Sequence, residues 1–221
     1  MMKRTCGIAA AGLGLGLASA AWGNPIVNGD FQTGTIGPST SAYALSGSML
    51  PPETYNVVSF DTIHPSWVDF FDHTLGNADG RYMIINGSDS GVGPAWAQTV
   101  AVTANTVYDL SAWFASLFPQ SVATLQWRLV GDQTTIISGN FVAPLSVGDG
   151  GPGLGVWVQQ VFQFNSGSNT SLSIQLWDVS GIFQGNDYAV DDISLTVVPA
   201  PAAAGIAAIA GLAGVRRRRR N

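Results

Sequence analysis

The chain has 221 residues, 46% of them hydrophobic and only 10% charged, with 27 Gly, 11 Pro, 7 Trp, one Cys and a net charge of −5 at pH 7. That length accommodates one domain with a substantial core, and a lone cysteine excludes an internal disulfide framework. Most of the cations sit in short terminal runs, so the body is acidic and is excluded as a nucleic-acid binder.

Residues 1–20 read as a secretory signal peptide. Lys3 and Arg4 supply the positive start, residues 8–17 form an apolar Gly/Ala/Leu stretch, and Ala18-Ser19-Ala20 offers a small-residue cleavage site, with Ser19-Ala20-Ala21 equally suited. Cys6 falls inside this segment, so the exported domain carries no thiol chemistry. Two of the nine basic residues lie here and five more in the terminal Arg run. The body of the chain keeps Arg81 and Arg128 against fourteen acidic residues, a net charge of −12. All but Glu53 of those acids are Asp, which favours turns and loop edges over helix faces. Asp-rich loops suit hard cations such as Ca²⁺ and serve equally as solvated turns.

Between residues 21 and 198 no helical period occurs. Short runs rich in Val, Ile, Thr and aromatics recur between Gly, Asn, Asp and Ser, at 26–31, 55–60, 82–85, 95–102, 107–114, 123–130, 134–141, 156–164, 171–177 and 188–197. About ten strands at this spacing predict an all-β fold, a two-sheet antiparallel sandwich. Alternation is clearest late in the chain. Val156, Val158, Gln160, Phe162 and Phe164 share one face of their strand and Trp157, Gln159, Val161 and Gln163 the other. Leu172, Ile174 and Leu176 likewise oppose Ser171, Ser173, Gln175 and Trp177, and Gln126 and Arg128 oppose Trp127.

The C-terminal segment, residues 199–221, combines Pro199-Ala200-Pro201, an apolar run of fourteen residues and five arginines, Arg216, Arg217, Arg218, Arg219 and Arg220. As a helix the apolar run spans roughly 21 Å, short of the ~30 Å hydrocarbon core of a bilayer. The cationic block stays cytoplasmic. This order resembles the PEP-CTERM signal of Gram-negative bacteria, which an exosortase reads. The resemblance implies a transient membrane helix, processing by an exosortase-type enzyme, and delivery to the cell envelope, surface or extracellular matrix. Ala200 stands where that family usually has Glu, which leaves the recognising enzyme open.

The body carries a second resemblance. Asn28-Gly29-Asp30-Phe31-Gln32 near its start and Tyr188-Ala189-Val190-Asp191-Asp192-Ile193-Ser194-Leu195 at its end are similar to the opening and closing signatures of galactose-binding-like jelly rolls, among them carbohydrate-binding modules. The stretches His64-Pro65-Ser66-Trp67, Asp72-His73-Thr74, Trp96-Ala97-Gln98-Thr99-Val100 and Ser111-Ala112-Trp113 resemble PEP-CTERM-tailed proteins of unassigned activity. The first of these resemblances implies that the first and last strands are neighbours and that a structural Ca²⁺ is held by Asp30, Gln32 and Asp191 or Asp192. Gln32 replaces the usual Glu and removes a negative ligand. The alternative is that Asp191 and Asp192 point to opposite faces, one solvated and one bonded to backbone.

Asp61, His64, Asp69, Asp72 and His73 gather both histidines beside three carboxylates. They could bind a divalent ion, but no HExxH or facial-triad spacing is present, and a capped loop around a buried Trp67 and Phe70 is the preferred reading. Gly87-Ser88-Asp89-Ser90-Gly91 has Asp where a nucleophile elbow needs its serine. No carboxylate pair stands out for glycoside hydrolysis. The Gly-rich run at 148–155 lacks the Lys and the strand-to-helix context of a phosphate cradle. No catalytic residue is therefore expected. Trp157, Gln159, Gln175 and Trp177 are the candidate glycan ligands, an aromatic-plus-amide set suited to sugars. The expectation is an exported, non-enzymatic jelly roll that binds extracellular polysaccharide. The alternatives are a purely structural matrix or adhesion protein and a secreted hydrolase.

Overall fold

The computed structural model describes residues 23–61, 63–118, 120–144, 157–182 and 184–199. The signal peptide, the glycine-rich run and Ala200 onward, with Pro201 and the Arg cluster, lie outside the described residues. Eleven strands and no helix occur among the described residues: β1 (Ala44–Leu45), β2 (Thr54–Val58), β3 (Tyr82–Asn86), β4 (Trp96–Ala101), β5 (Val107–Ser116), β6 (Thr124–Gly131), β7 (Thr135–Ile137), β8 (Phe141–Val142), β9 (Val158–Asn165), β10 (Ser171–Asp178) and β11 (Tyr188–Val197). They form two sheets. The larger runs β1-β2-β3-β11-β5-β9, and the smaller β4-β10-β6-β7 with β8 also on β6. All pairings are antiparallel except the two-residue β1–β2 contact. The protein is the all-β two-sheet sandwich that the strand pattern predicts.

The core between the sheets follows from the period-two alternation. Leu172, Ile174 and Leu176 of β10 face Phe114, Leu110, Val190 and Leu195 of the larger sheet, with Trp96 and Trp127 fully enclosed among them. Phe114 meets Trp127 edge-on at a 6.0 Å centroid separation. Trp127 is thus a core residue, and Gln126 and Arg128 face outward. In β9 only Phe162 and Phe164 reach the core, and Val158 is exposed.

A second apolar cluster lies on the other side of the larger sheet. Residues 63–81 fold back over that face, so Tyr82 and Ile84 of β3, Ala115 of β5 and Ala189 of β11 pack against Trp67 and Phe70. Strands buried on both faces need no polar alternation, which is why β3 reads Tyr-Met-Ile-Ile.

Two expected strands differ. Residues 26–31 form turns instead, because Asn28 and Phe31 adopt left-handed φ values of 56° and 54°. The opening segment still lies beside the last strand, through Ile193 N–H donating to the Gly29 carbonyl (2.9 Å) and Leu195 N–H donating to Asn24 Oδ1 (3.0 Å). The run at 134–141 splits into β7 and β8, because Ser138 turns its hydroxyl back to accept from Trp127 N–H at 3.0 Å. The pair β1 was not foreseen; two residues carry no readable period.

Gly29 is where the opening segment approaches β11 most closely, since a Cβ there would stand 2.1 Å from the Ile193 carbonyl oxygen. Gly29→Ala is expected to cost about 2 kcal/mol or more in urea unfolding, through forced backbone displacement. Gly47→Ala, where nothing lies within 4 Å, is expected to change stability by less than about 0.5 kcal/mol.

Candidate functional site

The register of the smaller sheet assembles its outward side chains into one surface. Gln175 stands opposite Arg128 and Trp177 opposite Gln126, with Ser173 opposite Val130 and Thr99. The Arg128 guanidinium lies 4.0 Å over the Trp177 ring, and its Nε donates to Gln126 Oε1 at 2.9 Å. Gln126 Nε2 in turn donates to Asn140 Oδ1 (3.0 Å). On the other strand, Trp177 Nε1 donates to Gln175 Oε1 (2.9 Å) and Gln175 Nε2 donates to Ser173 Oγ (3.3 Å). An indole, a guanidinium and three carboxamides are thus held in fixed mutual orientation on a half-buried, open sheet face. Planar donors and acceptors around an aromatic ring can grip a polyhydroxylated ligand.

The four candidate glycan ligands lie on two different sheets. Trp177 and Gln175 belong to β10 in the smaller sheet, whereas Gln159 is on β9 of the larger sheet with Trp157 just before it. Trp157 is committed to the second cluster. Its Nε1 donates to the Phe71 carbonyl (2.9 Å), and it meets Phe70 and Tyr82 edge-on at 5.3 and 5.5 Å. Parity assigned each pair to a strand face correctly but said nothing about which sheet each strand joins. Arg128 and Gln126 were legible as outward-facing; Asn140, in the turn between β7 and β8, had no signal.

Of the residues expected to hold Ca²⁺, Asp191 and Gln32 are engaged in hydrogen bonds within the protein. Asp191 is fully buried. Its Oδ2 accepts from His73 N–H (2.9 Å), Thr74 N–H (3.2 Å) and Thr74 Oγ1 (3.3 Å), and its Oδ1 from Asp192 N–H (2.8 Å). Asp192 Oδ2 lies 2.6 Å from His73 Nδ1, and its Oδ1 accepts from Thr74 Oγ1 at 2.8 Å. Gln32 Nε2 donates to Asp72 Oδ2 and the Arg81 carbonyl, both at 3.1 Å. Asp30 and Asp192 do line one shallow cavity of about 340 Å³. Among the described residues no three His, Cys, Asp or Glu side chains converge as a metal-holding group. Nor do the adjacent aspartates take opposite faces. The ladder with β5 shifts between Asp191 and Ser194, Asp192 has φ 50°, and this bulge turns both carboxylates to the same loop.

The His/Asp cluster resolves into the capped loop. Asp72 accepts from Leu75 N–H (2.9 Å) and Gly76 N–H (3.0 Å), while His73 stacks on Trp113 at 3.7 Å. His64 stacks on Trp67 (4.5 Å), whose Nε1 donates to Asp187 Oδ2 at 3.1 Å. These last three residues line a cleft of about 260 Å³ at one end of the sandwich. Burial, reinforced by the charge of Asp178, pushes the Asp187 carboxyl up to about 6, against the pull of hydrogen bonds from Gly87 and Trp67. Burial and then the neighbouring Asp192 charge push Asp191 up to about 8, against the backbone donors of Asp192, His73 and Thr74.

No protein-family model matches the sequence, and no curated protein matches it. Among solved structures the chain is similar to TmCBM61 in complex with β-1,4-galactotriose, at 12% identity and a TM-score of 0.48 over 79% of this chain and 99% of that one. It is similar to the CBM22-1–CBM22-2 tandem domain of Paenibacillus barcinonensis Xyn10C, at 14% identity and 0.48 over 84% and 48%. It is also similar to an apo-form cyclase from Fischerella sp., at 13% identity and 0.48 over 85% and 93%. These likenesses concern the path of the backbone and no side chain of the open face.

Asp191→Ala leaves three backbone N–H donors without acceptors in a buried place and is expected to cost about 3 kcal/mol or more in urea unfolding; Asp191→Asn, which keeps one acceptor, is expected to cost less. The raised carboxyls also give a signed pH dependence. Below about pH 4 both states hold these protons. As pH rises the unfolded chain releases them first, so their contribution weakens stability from about pH 4 through 6 for Asp187 and on to about 8 for Asp191. Thermal midpoints of Asp187→Asn and Asp191→Asn across that range should fall less steeply with pH than those of the parent.

Proposed function

We propose that the protein is a non-catalytic carbohydrate-binding protein that takes a polysaccharide on the outer face of its smaller sheet. The observation that carries this reading is the ordered row on β6 and β10, where Trp177, Arg128, Gln126 and Gln175 are hydrogen-bonded or stacked into a preformed surface. Preformed polar groups lose little conformational freedom on binding, which favours recognition of a flexible, hydrated glycan. The indole can pack against the C–H face of a sugar ring while amide and guanidinium groups meet its hydroxyls.

On the larger sheet, Trp67 and Phe70 cover the central strands β3 and β11. Export belongs to the same reading. The signal-like residues 1–20 and the sorting-like residues 199–221 suit delivery by an exosortase-type enzyme to the envelope or exopolysaccharide matrix, after transient membrane anchoring. A β-sandwich with a fixed polar face suits attachment to matrix glycan in that setting.

With a panel of soluble polysaccharides and the purified full-length chain, at least one glycan is expected to raise the thermal midpoint. Trp177→Ala is expected to weaken binding of that glycan by about tenfold or more, about 1.4 kcal/mol, with a small effect on stability. Trp157→Ala is expected to do the reverse, lowering stability by about 3 kcal/mol or more and leaving glycan affinity unchanged. Equal affinity of the parent and Trp177→Ala would refute the assignment of the face.

A further inference from the structure

Resting on that reading of the sheet face, we propose that the polysaccharide is one that carries sugar carboxylates, a uronic-acid polymer, and that Arg128 is its anion contact. Three observations converge on this side chain. Arg128 is one of two cations in a body of net charge −12, yet no carboxylate oxygen lies within 4 Å of it among the described residues. Arg81 likewise has no such partner, so neither cation of the body is neutralised by an ion pair among the described residues, and posture and surroundings distinguish Arg128.

The second observation is its posture. Nε is occupied by Gln126 Oε1, and the guanidinium lies over the Trp177 ring. Both terminal amino groups donate to no protein acceptor among the described residues. They present the two-pronged donor edge that matches a carboxylate, with its plane already fixed by stacking. A neutral glycan needs only hydroxyl partners, which the flanking carboxamides Gln126, Gln175 and Asn140 already supply.

The third is the absence of acid from the outward strand positions around it, the nearest acid along β6 being the exposed Asp132 just past the strand end, where it caps Thr170 and Ser171. Fourteen carboxylates are spread through the body, but the outward positions of β4, β6, β7 and β10 hold none; the one acid in these strands, Asp178, is buried with Leu172, Ile174 and Leu176 on the inward side. Repulsion from carboxylates elsewhere is screened beyond about 8 Å at physiological salt, whereas a carboxylate on Arg128 is in direct contact. The local pair therefore decides the sign of the interaction.

The test is titration calorimetry of the full-length chain against polygalacturonate, alginate and hyaluronate, each beside its carboxyl-reduced counterpart, with neutral xylan and galactan and with dextran sulfate. At least one uronan should bind about tenfold or more tighter than its reduced form and than dextran sulfate. Arg128→Gln should bring that ratio to within about twofold, and Arg128→Lys, which keeps the charge and loses the fork, should retain part of it. Equal binding of uronan and reduced polymer, equal binding of dextran sulfate, or binding of neutral glycans alone overturns the carboxylate assignment and leaves the carbohydrate-binding reading standing. Binding of no glycan overturns both.

Discussion

Two adjacent carboxylates on the last strand, Asp191 and Asp192, hold the segment that determines which sheet surface meets solvent. On a regular strand neighbouring side chains diverge to opposite faces. The bulge between Asp191 and Ser194 cancels that divergence, and both carboxylates reach His73 and Thr74. Through those two residues, residues 63–81 are tied to the middle of the larger sheet. Tyr82, Ile84, Ala115 and Ala189, which would otherwise present apolar surface to water, are enclosed under Trp67 and Phe70. The enclosure raises the cost of charging Asp191, and its hydrogen-bond donors offset only part of that cost.

The consequence is a sandwich with two unlike outer surfaces. The larger sheet is a middle layer with apolar packing on both sides. The smaller sheet has the core on one side and water on the other, so its outward positions take polar residues and are available for recognition. Because β6 and β10 pair in register, the outward Gln126 and Arg128 meet the outward Gln175 and Trp177 without any loop having to position them. A ligand face made of strand residues inherits the rigidity of the sheet, and hydrogen bonds within the row restrict each side chain further.

Much of the fold was legible because alternation is a local property. Leu172-Ser173-Ile174-Gln175-Leu176-Trp177 states its inner and outer faces in its own letters, and Trp127 stands on the face opposite Gln126 and Arg128, which burial then shows to be the core side. The misread segments were those where a local hydrogen bond or φ overrides the period: Asn28 and Phe31 in left-handed conformations, and Ser138 bonding back to Trp127. The pairing of Trp157 with Trp177 in one glycan face failed for a different reason. Both strands alternate as expected, but the chain passes from one sheet to the other between β9 and β10.

By itself, then, the sequence determined an all-β sandwich, an acidic body with two cations, a core set by period-two alternation, and the strand face on which each candidate ligand lies. These follow from residue type and spacing along a single strand. Only the tertiary structure decided which strands are neighbours, that a bulge turns Asp191 and Asp192 to one loop, and that Arg128 lies over Trp177. Those contacts join residues far apart in the chain. They depend on strand order and register, which a pattern of alternating side chains does not encode.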